Sequence, residues 1–477
     1  MGQSKSTGPS SATSVSASAS ASESASALPD EMNNLTLDPS IAKATASLAS
    51  RDSKILIVGG GGTMGSSTAL HLARRGFKDI RILDVYQIPS DHSAGNDVNK
   101  IAGSDSLGLF GGVSDTAWDA WTSDPVFIPY AHTVGKLDLT PGDTPRSRRL
   151  REKYEKFRAM GRTDIEWLAN AEDIKRKAPH LKDADIEGWR GLWCANGGWV
   201  AARDAIDSVG RELVNLGVKS SFGSSGTFAS LLLSEDGKTC RGVKTVDGTE
   251  WEADLVVLAA GAWSPVLVDL EGQCTSKCWV YCHVQLTDEE AEAMRGVPTM
   301  YNDVYGFFFE PRPDSHLLKL CNEFPGYTNI VEHQPFGAPN PIKMSVPRSH
   351  AAHPTDTMPT ESLDEIKRLI EICLPHLKGR PLINQAMCWC TDTDDANWLL
   401  CEHPRWNGLV LATGDSGHTF KMLPVVGAQV ADLIEGKLSD EKKHLWRWRP
   451  GAGDPHGTGR GGPAPKDLSE VDGWKHD

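Results

Sequence analysis

The pattern of apolar and polar positions from residue 54 to Asp84 predicts a β-α-β unit. An apolar run at 55–58 enters a cluster of glycines, and a helical pattern of apolar residues follows at 68–73. A second apolar run at 80–83 stops at Asp84. Two continuous apolar runs are typical of strands, and apolar residues that recur about every 3.6 residues between them are typical of a helix.

The glycine cluster carries the spacing G-x-G-x-x-G at Gly60, Gly62 and Gly65. In a dinucleotide-binding loop, the first glycine permits the tight turn, the second lets a pyrophosphate approach, and the third lets the helix pack on the strand. Asp84 lies roughly 20 residues beyond, where a carboxylate accepts a hydrogen bond from an adenosine ribose hydroxyl. Since a carboxylate disfavours a 2′-phosphate, the pattern favours FAD or NAD over NADP. The alternative is a glycine-rich turn without a ligand.

The later segments alternate between this pattern and a different one. Amphipathic helix patterns occupy 112–195, including one at 164–169, and 275–375 is rich in predicted strands. We therefore predict an α/β protein with a discontinuous Rossmann-type binding domain and an interleaved α+β substrate domain. The predicted boundaries are 53–111, 196–270 and 380–435 for the binding domain, 112–195 and 271–379 for the substrate domain, 1–52 for a leader and 436–477 for a wrapping tail.

Composition narrows the class of protein. The leader, mostly Ser and Ala, is predicted to be disordered. A net charge of −14 argues against a nucleic-acid surface, and no run of 18 apolar residues is available to cross a bilayer. Ten cysteines in 477 residues are too sparse for a disulfide framework, and their spacing predicts no metal site. We expect the cytosol, with the peroxisome left open. Gly2 and Ser6 fit the loose myristoylation pattern, for which chance in a Ser-rich segment is the alternative.

Alternation along 317–323 places Lys319, Cys321 and Glu323 on one face of a predicted strand. If this face shelters a ligand, both charged side chains point at it. The alternative is a solvated sheet face.

Three loops of small residues are spread along the ordered chain, at 59–65, 259–264 and 413–418. Each follows an apolar run that is typical of a buried parallel strand. An NAD dehydrogenase usually has one compact dinucleotide domain, whereas a long cofactor such as FAD would be held by all three loops.

Several ordered motifs resemble the fructosyl amino acid oxidases (amadoriases), within the sarcosine-oxidase and D-amino-acid-oxidase-like flavoproteins. The matching segments are 67–76 after the glycine loop, Ser-Ala-Gly-Asn-Asp-Val-Asn-Lys-Ile at 93–101, 306–311, Lys-Leu-Cys-Asn-Glu-Phe-Pro-Gly-Tyr at 319–327, Cys-Trp-Cys-Thr-Asp-Thr at 388–393, Gly-Asp-Ser-Gly-His-Thr-Phe-Lys at 414–421 and 446–451. The resemblance implies a D-amino-acid-oxidase-like fold, FAD as cofactor, and oxidation of a secondary amine with release of H2O2.

The resemblance also implies roles for single residues. Cys388 would bond FAD covalently through a thioether, and Lys319 would assist the reaction with O2 as a fixed cation. Glu323 would contact the sugar hydroxyls of the substrate, and Lys421 the substrate near the flavin. Lys100 would line the flavin ring.

Further contacts to the cofactor are implied along the same motifs. The expected cofactor-binding residues are Gly60, Gly62, Thr63, Met64, Gly65, Asp84, Ser93, Asn99, Lys100, Gly261, Cys388, Asp415, Gly417, His418 and Lys421. The expected catalytic residues are Lys319, Glu323 and Lys421.

The chain departs from the family after Lys100. Several relatives have an arginine there that holds a substrate carboxylate, but 101–106 contain no cation. Carboxylate recognition would then come from Lys421 or Arg460, or be weak.

Because this arginine is absent, other substrates remain alternatives. They are other N-alkyl amino acids of the saccharopine, pipecolate or sarcosine type, or a biosynthetic amine. A flavoprotein that only binds a partner is a third hypothesis, against which Cys388 and Lys319 argue. The expected partners are a small-molecule amine and O2, with no nucleic acid, and we expect a monomer.

Overall fold

The computed structural model describes residues 47–302, 304–323, 326–452 and 463–474. The α-helices are α1 Thr63–Arg74, α2 Leu109–Ser123, α3 Pro145–Ala159, α4 Ala171–Lys177, α5 Ala202–Asn215, α6 Ser264–Leu267, α7 Asp288–Ala293, α8 Thr360–Cys373, α9 Leu423–Ile434 and α10 Asp440–Leu445. The strands of the first half are β1 Lys54–Val58, β2 Asp79–Leu83, β3 Lys100–Gly103, β4 Ala131–His132, β5 Lys136–Pro141, β6 Ile165–Leu168, β7 Trp189–Cys194, β8 Gly197–Val200, β9 Lys219–Ser221, β10 Phe228–Leu233, β11 Cys240–Thr245 and β12 Glu250–Glu252. Those of the second half are β13 Leu255–Leu258, β14 Cys274–Gln285, β15 Thr299–Asn302, β16 Gly306–Phe308, β17 Leu317–Cys321, β18 Tyr327–Thr328, β19 Ile330–His333, β20 Ile342–Ser345, β21 Ile383–Thr393, β22 Leu399–Glu402, β23 Leu409–Thr413 and β24 Lys466–Asp467.

A six-stranded sheet in the order β22-β23-β13-β1-β2-β9 contains the predicted β-α-β unit. The pairs β23–β13, β13–β1, β1–β2 and β2–β9 are parallel, and only β22 runs antiparallel to its neighbour. Val58 therefore lies in register with both Leu83 and Leu258. Because parallel strands end at the same edge, the three predicted loops and Asp84 meet at the carboxyl edge of this sheet.

Apolar layers cover both faces of the six-stranded sheet. On one face, alternate strand residues such as Ile57 and Val257 pack with apolar residues of α1, α2, α5 and α9. On the other face, Val58 and Leu258 pack with residues of β10 and β11. Burial on both faces explains the continuous apolar runs in these strands.

A ten-stranded sheet forms the second large layer. Its order is β24-β18-β14-β17-β16-β15-β5-β7-β6, with β21 paired to β14 off this path. Side chains alternate across it: Leu318, Leu320 and Met387 join an apolar core with residues of α8. Lys319 and Cys388 belong to the opposite set of positions, so they share the other face.

The structure corrects the helix predicted at 164–169. These residues include β6, which pairs antiparallel with β7, so that Trp167 lies opposite Leu192. Six residues hold too few turns to distinguish a helical period from alternation, and pairing with β7 decides the outcome.

Two elements pack with a different layer from the one that the predicted domain boundaries assign to them. β21 lies in the segment predicted for the cofactor-binding domain but pairs with β14 of the ten-stranded sheet. Most of α2 lies in the segment predicted for the substrate domain, yet its Trp121 packs in the core of the six-stranded sheet. The division into two domains otherwise stays a prediction.

The last residues of the predicted leader are part of the fold. The amide of Leu48 donates to the carbonyl of Ile434 at 2.7 Å, and Arg51 pairs with Glu435. The expected disorder is therefore wrong for residues 47–52, because these contacts fix them to the end of α9. Gly2, Ser6 and Arg460 lie outside the described residues. Within the described ranges, no helix combines the length and apolarity needed to span a bilayer.

Helices α1 and α9 pack tightly at Gly427, so one added methyl group there should lower the stability of the protein. A Cβ at Gly427 of α9 would lie 2.0 Å from the carbonyl oxygen of Ser67 in α1, whose hydroxyl accepts from the Gly427 amide at 2.9 Å. We expect Gly427→Ala to lower the free energy of unfolding by about 1–3 kcal/mol or more, because α1 and α9 must separate.

The control is Gly112→Ala in α2, where an added Cβ has no neighbour within 4 Å. This change should be neutral or stabilise by up to about 1 kcal/mol, because alanine favours helix. Urea unfolding of both variants measures the difference, and equal effects would refute the packing argument.

Candidate active site

The glycine loop between β1 and α1 is shaped by close contacts that exclude side chains. A Cβ at Gly60 would lie 2.4 Å from the side chain of Ile82, and one at Gly65 would lie 2.4 Å from the carbonyl oxygen of Gly59. Gly62 is the N-cap of α1, which begins with Thr63 and Met64. The loop therefore presents bare backbone at a helix N-terminus, where an anion is favoured.

Asp84 lies beside this loop at the end of β2. Its carboxylate accepts hydrogen bonds from the Gly61 amide at 2.9 Å and from the Ser90 hydroxyl at 2.6 Å. Burial raises the pKa of Asp84, and these hydrogen bonds act in the opposite direction. The acid thus has the predicted position next to the glycines.

Two further predicted contacts lie on the same edge. The hydroxyl of Ser93 would be 3.2 Å from a Cβ at Gly62, so the segment after β2 passes over the loop. Gly261 has a φ of +51° at the start of the 3-10 helix Gly261–Trp263, directly beyond β13. Its carbonyl accepts from the Thr413 hydroxyl at 3.4 Å, which links the second loop to the third.

The third loop, 413–418, is held by one carboxylate. Asp415 accepts from the amide of Thr391 at 2.9 Å and from the amide of Gly417 at 2.9 Å. Gly417 has a φ of +69°, and the ring of His418 lies 2.8 Å from the carbonyl oxygen of Ala396. These contacts fasten the loop to β21 and fix its backbone.

A buried carboxylate between two lysines lies at the centre of the site. Oδ2 of Asp97 contacts Nζ of Lys100 at 2.7 Å and also pairs with Nζ of Lys319. Burial alone would raise the pKa of Asp97, but the two ammonium groups hold it well below its ordinary value. Burial opposes the charge on Lys100, while Asp97 raises the pKa of that lysine. Two ammonium groups thus share one carboxylate.

Lys319 is fixed from several sides. Its ammonium donates to the carbonyl of Asn99 at 3.2 Å and lies 4.9 Å from the ring centroid of Tyr281 and 5.6 Å from that of Phe309. Its side chain is 3% exposed. Such a cation cannot be screened by bulk water, so its field acts on whatever occupies the neighbouring space.

Cys388 lies on β21 opposite Trp279 of β14. Its Sγ is 3.7 Å from Nζ of Lys100, and unlike most of the described cysteines it is partly exposed. The structure thereby brings together Lys100, Lys319 and Cys388, which the sequence placed in three distant motifs.

Lys421 belongs to a second cluster of charges. Its ammonium donates to the Ser106 hydroxyl at 2.7 Å and lies 3.3 Å from Oδ1 of Asp105. Asp105 also pairs with Lys136, whose ammonium contacts Asp138 at 2.8 Å. Burial lowers the pKa of Lys421, and Asp105 counteracts this shift.

Glu323 lies two residues beyond β17, so the strand that carries Lys319 ends before it. The hydroxyl of Tyr301 donates to Oε1 of Glu323 at 2.6 Å, and the tyrosine ring lies 5.6 Å from the ammonium of Lys136. Burial and, to a smaller extent, the charge of Glu323 raise the pKa of Tyr301 well above its ordinary value. Tyr301 therefore remains a hydrogen-bond donor to this acid.

Four residues of the site were not predicted from the sequence: Asp97, Asp105, Lys136 and Tyr301. Asp97 could have been suspected, since it lies in the motif at 93–101, three residues before Lys100. The other three carry no local signal, because their partners come from distant strands.

The residues at the site fit FAD. The glycine loop leaves room that a Cβ would fill, and Asp84 suits a ribose hydroxyl. Asn99 is 1% exposed, and neither polar atom of its side-chain amide has a hydrogen-bond partner among the described residues. A buried amide without partners is costly, which is consistent with a ligand that completes its hydrogen bonds.

Comparison with known proteins supports this assignment. Residues 54–433 match the family DAO, FAD dependent oxidoreductase. A fructosyl peptide oxidase structure from E. terrenum is 49% identical, with a TM-score of 0.85 over 90% of this chain and 99% of that chain. A modified fructosyl peptide oxidase from Aspergillus nidulans is 50% identical, with a TM-score of 0.85 over 89% of this chain and 99% of that chain.

A relative named for a different substrate is the L-saccharopine oxidase of Schizosaccharomyces pombe. It is 30% identical over 411 residues, which are 83% of this chain and 93% of that protein. The site geometry and the match over 54–433 agree, and the chain belongs to the family of FAD dependent oxidoreductases.

Proposed function

We propose that the protein oxidises the C–N bond of a secondary amine, specifically of a fructosyl amino acid or a related glycated amine. The observation that carries the proposal is the grouping of Lys100, Lys319 and Cys388 in one site, in a chain about half identical to two fructosyl peptide oxidases. The amine loses two electrons and two protons to become an imine, which water hydrolyses to an amine and a carbonyl product. O2 takes up the two electrons and two protons as H2O2.

Bound FAD supplies the redox chemistry, as the acceptor of a hydride from the substrate and the donor of electrons to O2. The glycine loop, Asp84 and Ser93 would hold its adenosine diphosphate part. Asn99, Lys100, Gly261 and the loop 413–418 would hold the remainder.

Lys319 would promote the reaction with O2. Two lysines share one carboxylate, so the cluster keeps an uncompensated positive charge in a buried place. A fixed charge of this kind stabilises negative charge that develops on oxygen, and it needs no rearrangement during the reaction.

Cys388 would form a thioether to the cofactor. The ammonium of Lys100 donates to its Sγ at 3.7 Å, and the residue is partly exposed. Reactive cysteines lie in electropositive, partly exposed surroundings of this kind.

Glu323 would accept hydrogen bonds from sugar hydroxyls of the substrate. Tyr301 orients this carboxylate, and hydrogen bonds to a charged acceptor are stronger than neutral ones. Lys421 would contact the part of the substrate that lies near Asp105. The expectations of a monomer and of the cytosol stay predictions.

L-saccharopine is the second candidate substrate, because the relative from Schizosaccharomyces pombe is an oxidase of that compound. Saccharopine is an N-alkyl amino acid with several carboxylates. Lys136 and Lys421 are already paired with Asp105 and Asp138, which favours the less anionic fructosyl amines.

Anaerobic reduction distinguishes the two substrates. We expect fructosyl-valine or fructosyl-lysine to bleach the flavin absorbance, and L-saccharopine, pipecolate and sarcosine to act at least tenfold more slowly. Glu323→Gln should lower kcat/KM for the fructosyl amines by about 10- to 100-fold, since a charged hydrogen-bond acceptor is lost. The exposed Glu332→Gln is the control. Rapid bleaching by saccharopine alone would favour the second candidate.

Acid precipitation tests the covalent bond. The yellow colour of the wild-type protein should stay with the pellet, and Cys388→Ser should release it to the supernatant. Cys390→Ser, two residues along β21, should retain the colour. A yellow pellet from Cys388→Ser, or a colourless one from the wild type, would show that Cys388 does not hold the cofactor.

Separate half-reactions test the role of Lys319. Lys319→Met should slow reoxidation of the reduced flavin by O2 by about 10²-fold or more, because the fixed cation is lost. Anaerobic reduction by substrate should change much less. Lys367→Met, a change on the exposed face of α8, should leave both half-reactions unaltered. Stopped-flow absorbance measures both rates, and an equal loss in the two would contradict a specific role with O2.

A further inference from the structure

A histidine lies beside Lys319 on the ten-stranded sheet. His283 of β14 is directly opposite Lys319 of β17 on one side and Ile383 of β21 on the other, so the three side chains project from the same face. Ile383 is 36% exposed, His283 is 4% exposed and Lys319 is 2% exposed. The imidazole of His283 therefore lies between a position that solvent reaches and the buried ammonium.

The ring of His283 has few partners within the protein. Neither of its nitrogens has a hydrogen-bond partner of ordinary geometry among the described residues, although the backbone of Asn384 acts on the ring. Asn384 is a non-glycine residue with a φ of +50°, at an irregularity in the pairing of β14 with β21. Such irregularities are frequent beside active sites, and buried polar groups without protein partners commonly bind ordered water.

The surroundings of His283 favour its neutral form. Burial and the ammonium of Lys319 lower the pKa of His283 to about 4, against a smaller opposite effect of Asp97. The ring of Tyr281 lies 5.6 Å from the ring of His283 and 4.9 Å from the Lys319 ammonium, so it adjoins both groups. A neutral imidazole has one donor and one acceptor nitrogen, and it passes a proton on by accepting at one nitrogen and releasing from the other.

The proposed reaction with O2 needs one proton that a hydride does not carry. Formation of H2O2 takes two electrons and two protons, whereas the hydride from the substrate brings two electrons and one proton. The second proton must come from water, to which the oxidised amine has released one. Lys319 donates to Asp97 and to the carbonyl of Asn99 among the described residues, which leaves one of the three N–H groups of its ammonium for oxygen or water.

We propose that His283 relays this proton from solvent toward Lys319 during the reduction of O2. The inference rests on the proposed function of the site, in which Lys319 promotes that step. One ring nitrogen accepts a proton from water while the other releases its own toward Lys319, and the ring regains its first tautomer by exchange with water. His283 carries no electrons, and it acts on oxygen only through Lys319 and water.

Reoxidation of the chemically reduced holoenzyme tests the relay without any amine. Stoichiometric dithionite reduces the wild type and His283→Gln, and stopped-flow absorbance follows reoxidation by O2 in H2O and in D2O. The amide that replaces the ring keeps a polar group in place but does not relay a proton as imidazole does. We expect reoxidation of His283→Gln to be about tenfold slower or more, with a solvent isotope effect of about 2 or more that the wild type lacks, because proton delivery becomes limiting.

Rescue by small bases separates a relay from a structural role. In His283→Ala, added imidazole should restore most of the lost rate, whereas 1-methylimidazole, which has no second exchangeable nitrogen, should restore little. His403→Gln is the matched control. His403 is 3% exposed and burial also lowers its pKa to about 4, but it follows β22 and its ring lies 4.4 Å from that of Trp406. Its replacement should leave the reoxidation rate and the isotope effect unchanged.

Nitrogen NMR of the oxidised holoenzyme, labelled with 15N at histidine, gives a result without turnover. The signal that disappears in His283→Gln or His283→Ala should come from a neutral ring at neutral pH, whose N–H proton exchanges rapidly with water. A charged ring, or an N–H protected from exchange, overturns the proposal. Equal reoxidation rates and isotope effects in the wild type and His283→Gln also overturn it. Should His283→Gln fail to fold, His283→Ala and its rescue decide.

Failure of the proposed function has a different signature. If the reduced wild type reacts with O2 no faster than free reduced flavin, the oxidase function and the relay are both wrong. If the wild type reacts rapidly and His283→Gln reacts equally fast, the proposed function stands and only the relay is wrong.

Discussion

The ion pairs of Asp97 with Lys100 and Lys319 are the interaction on which the arrangement of the site depends. They join the segment that follows β2 to β17 of the ten-stranded sheet. A buried charge without a partner is very unfavourable, so both lysines depend on Asp97. Because two cations share one anion, the same contacts that fix the two layers leave a positive charge next to Cys388.

Much of the cofactor side could be predicted from the sequence, because its signals are local. The turn at Gly60 and Gly65 and the acid at Asp84 all lie within one β-α-β unit. The meeting of the three loops followed from parallel strands, whose carboxyl ends share an edge. The family resemblance predicted that Cys388, Lys319 and Lys100 lie near the cofactor. No periodicity in the chain indicates that these three residues are neighbours.

The residues proposed to contact the substrate were harder to predict from the sequence, because their contacts depend on pairings between distant strands. Tyr301 reaches Glu323 from β15, and Lys136 reaches Asp105 from the start of β5. Alternation along 317–323 gave the correct face for Lys319, but the strand ends before Glu323. The segment at 164–169 became strand since β7 supplied hydrogen-bond partners that its own six residues could not reveal.

The position of Cys388 has a consequence for the stability of the whole chain. β21 belongs to the ten-stranded sheet, whereas the glycine loop belongs to the six-stranded sheet. A group held at both places ties the two layers together, and a ligand that binds only the folded state stabilises it in proportion to the logarithm of its free concentration. A thioether at Cys388 would remove that dependence, because a tethered cofactor cannot be lost on dilution. The folded protein would then keep the same resistance to unfolding in a dilute solution as in a concentrated one.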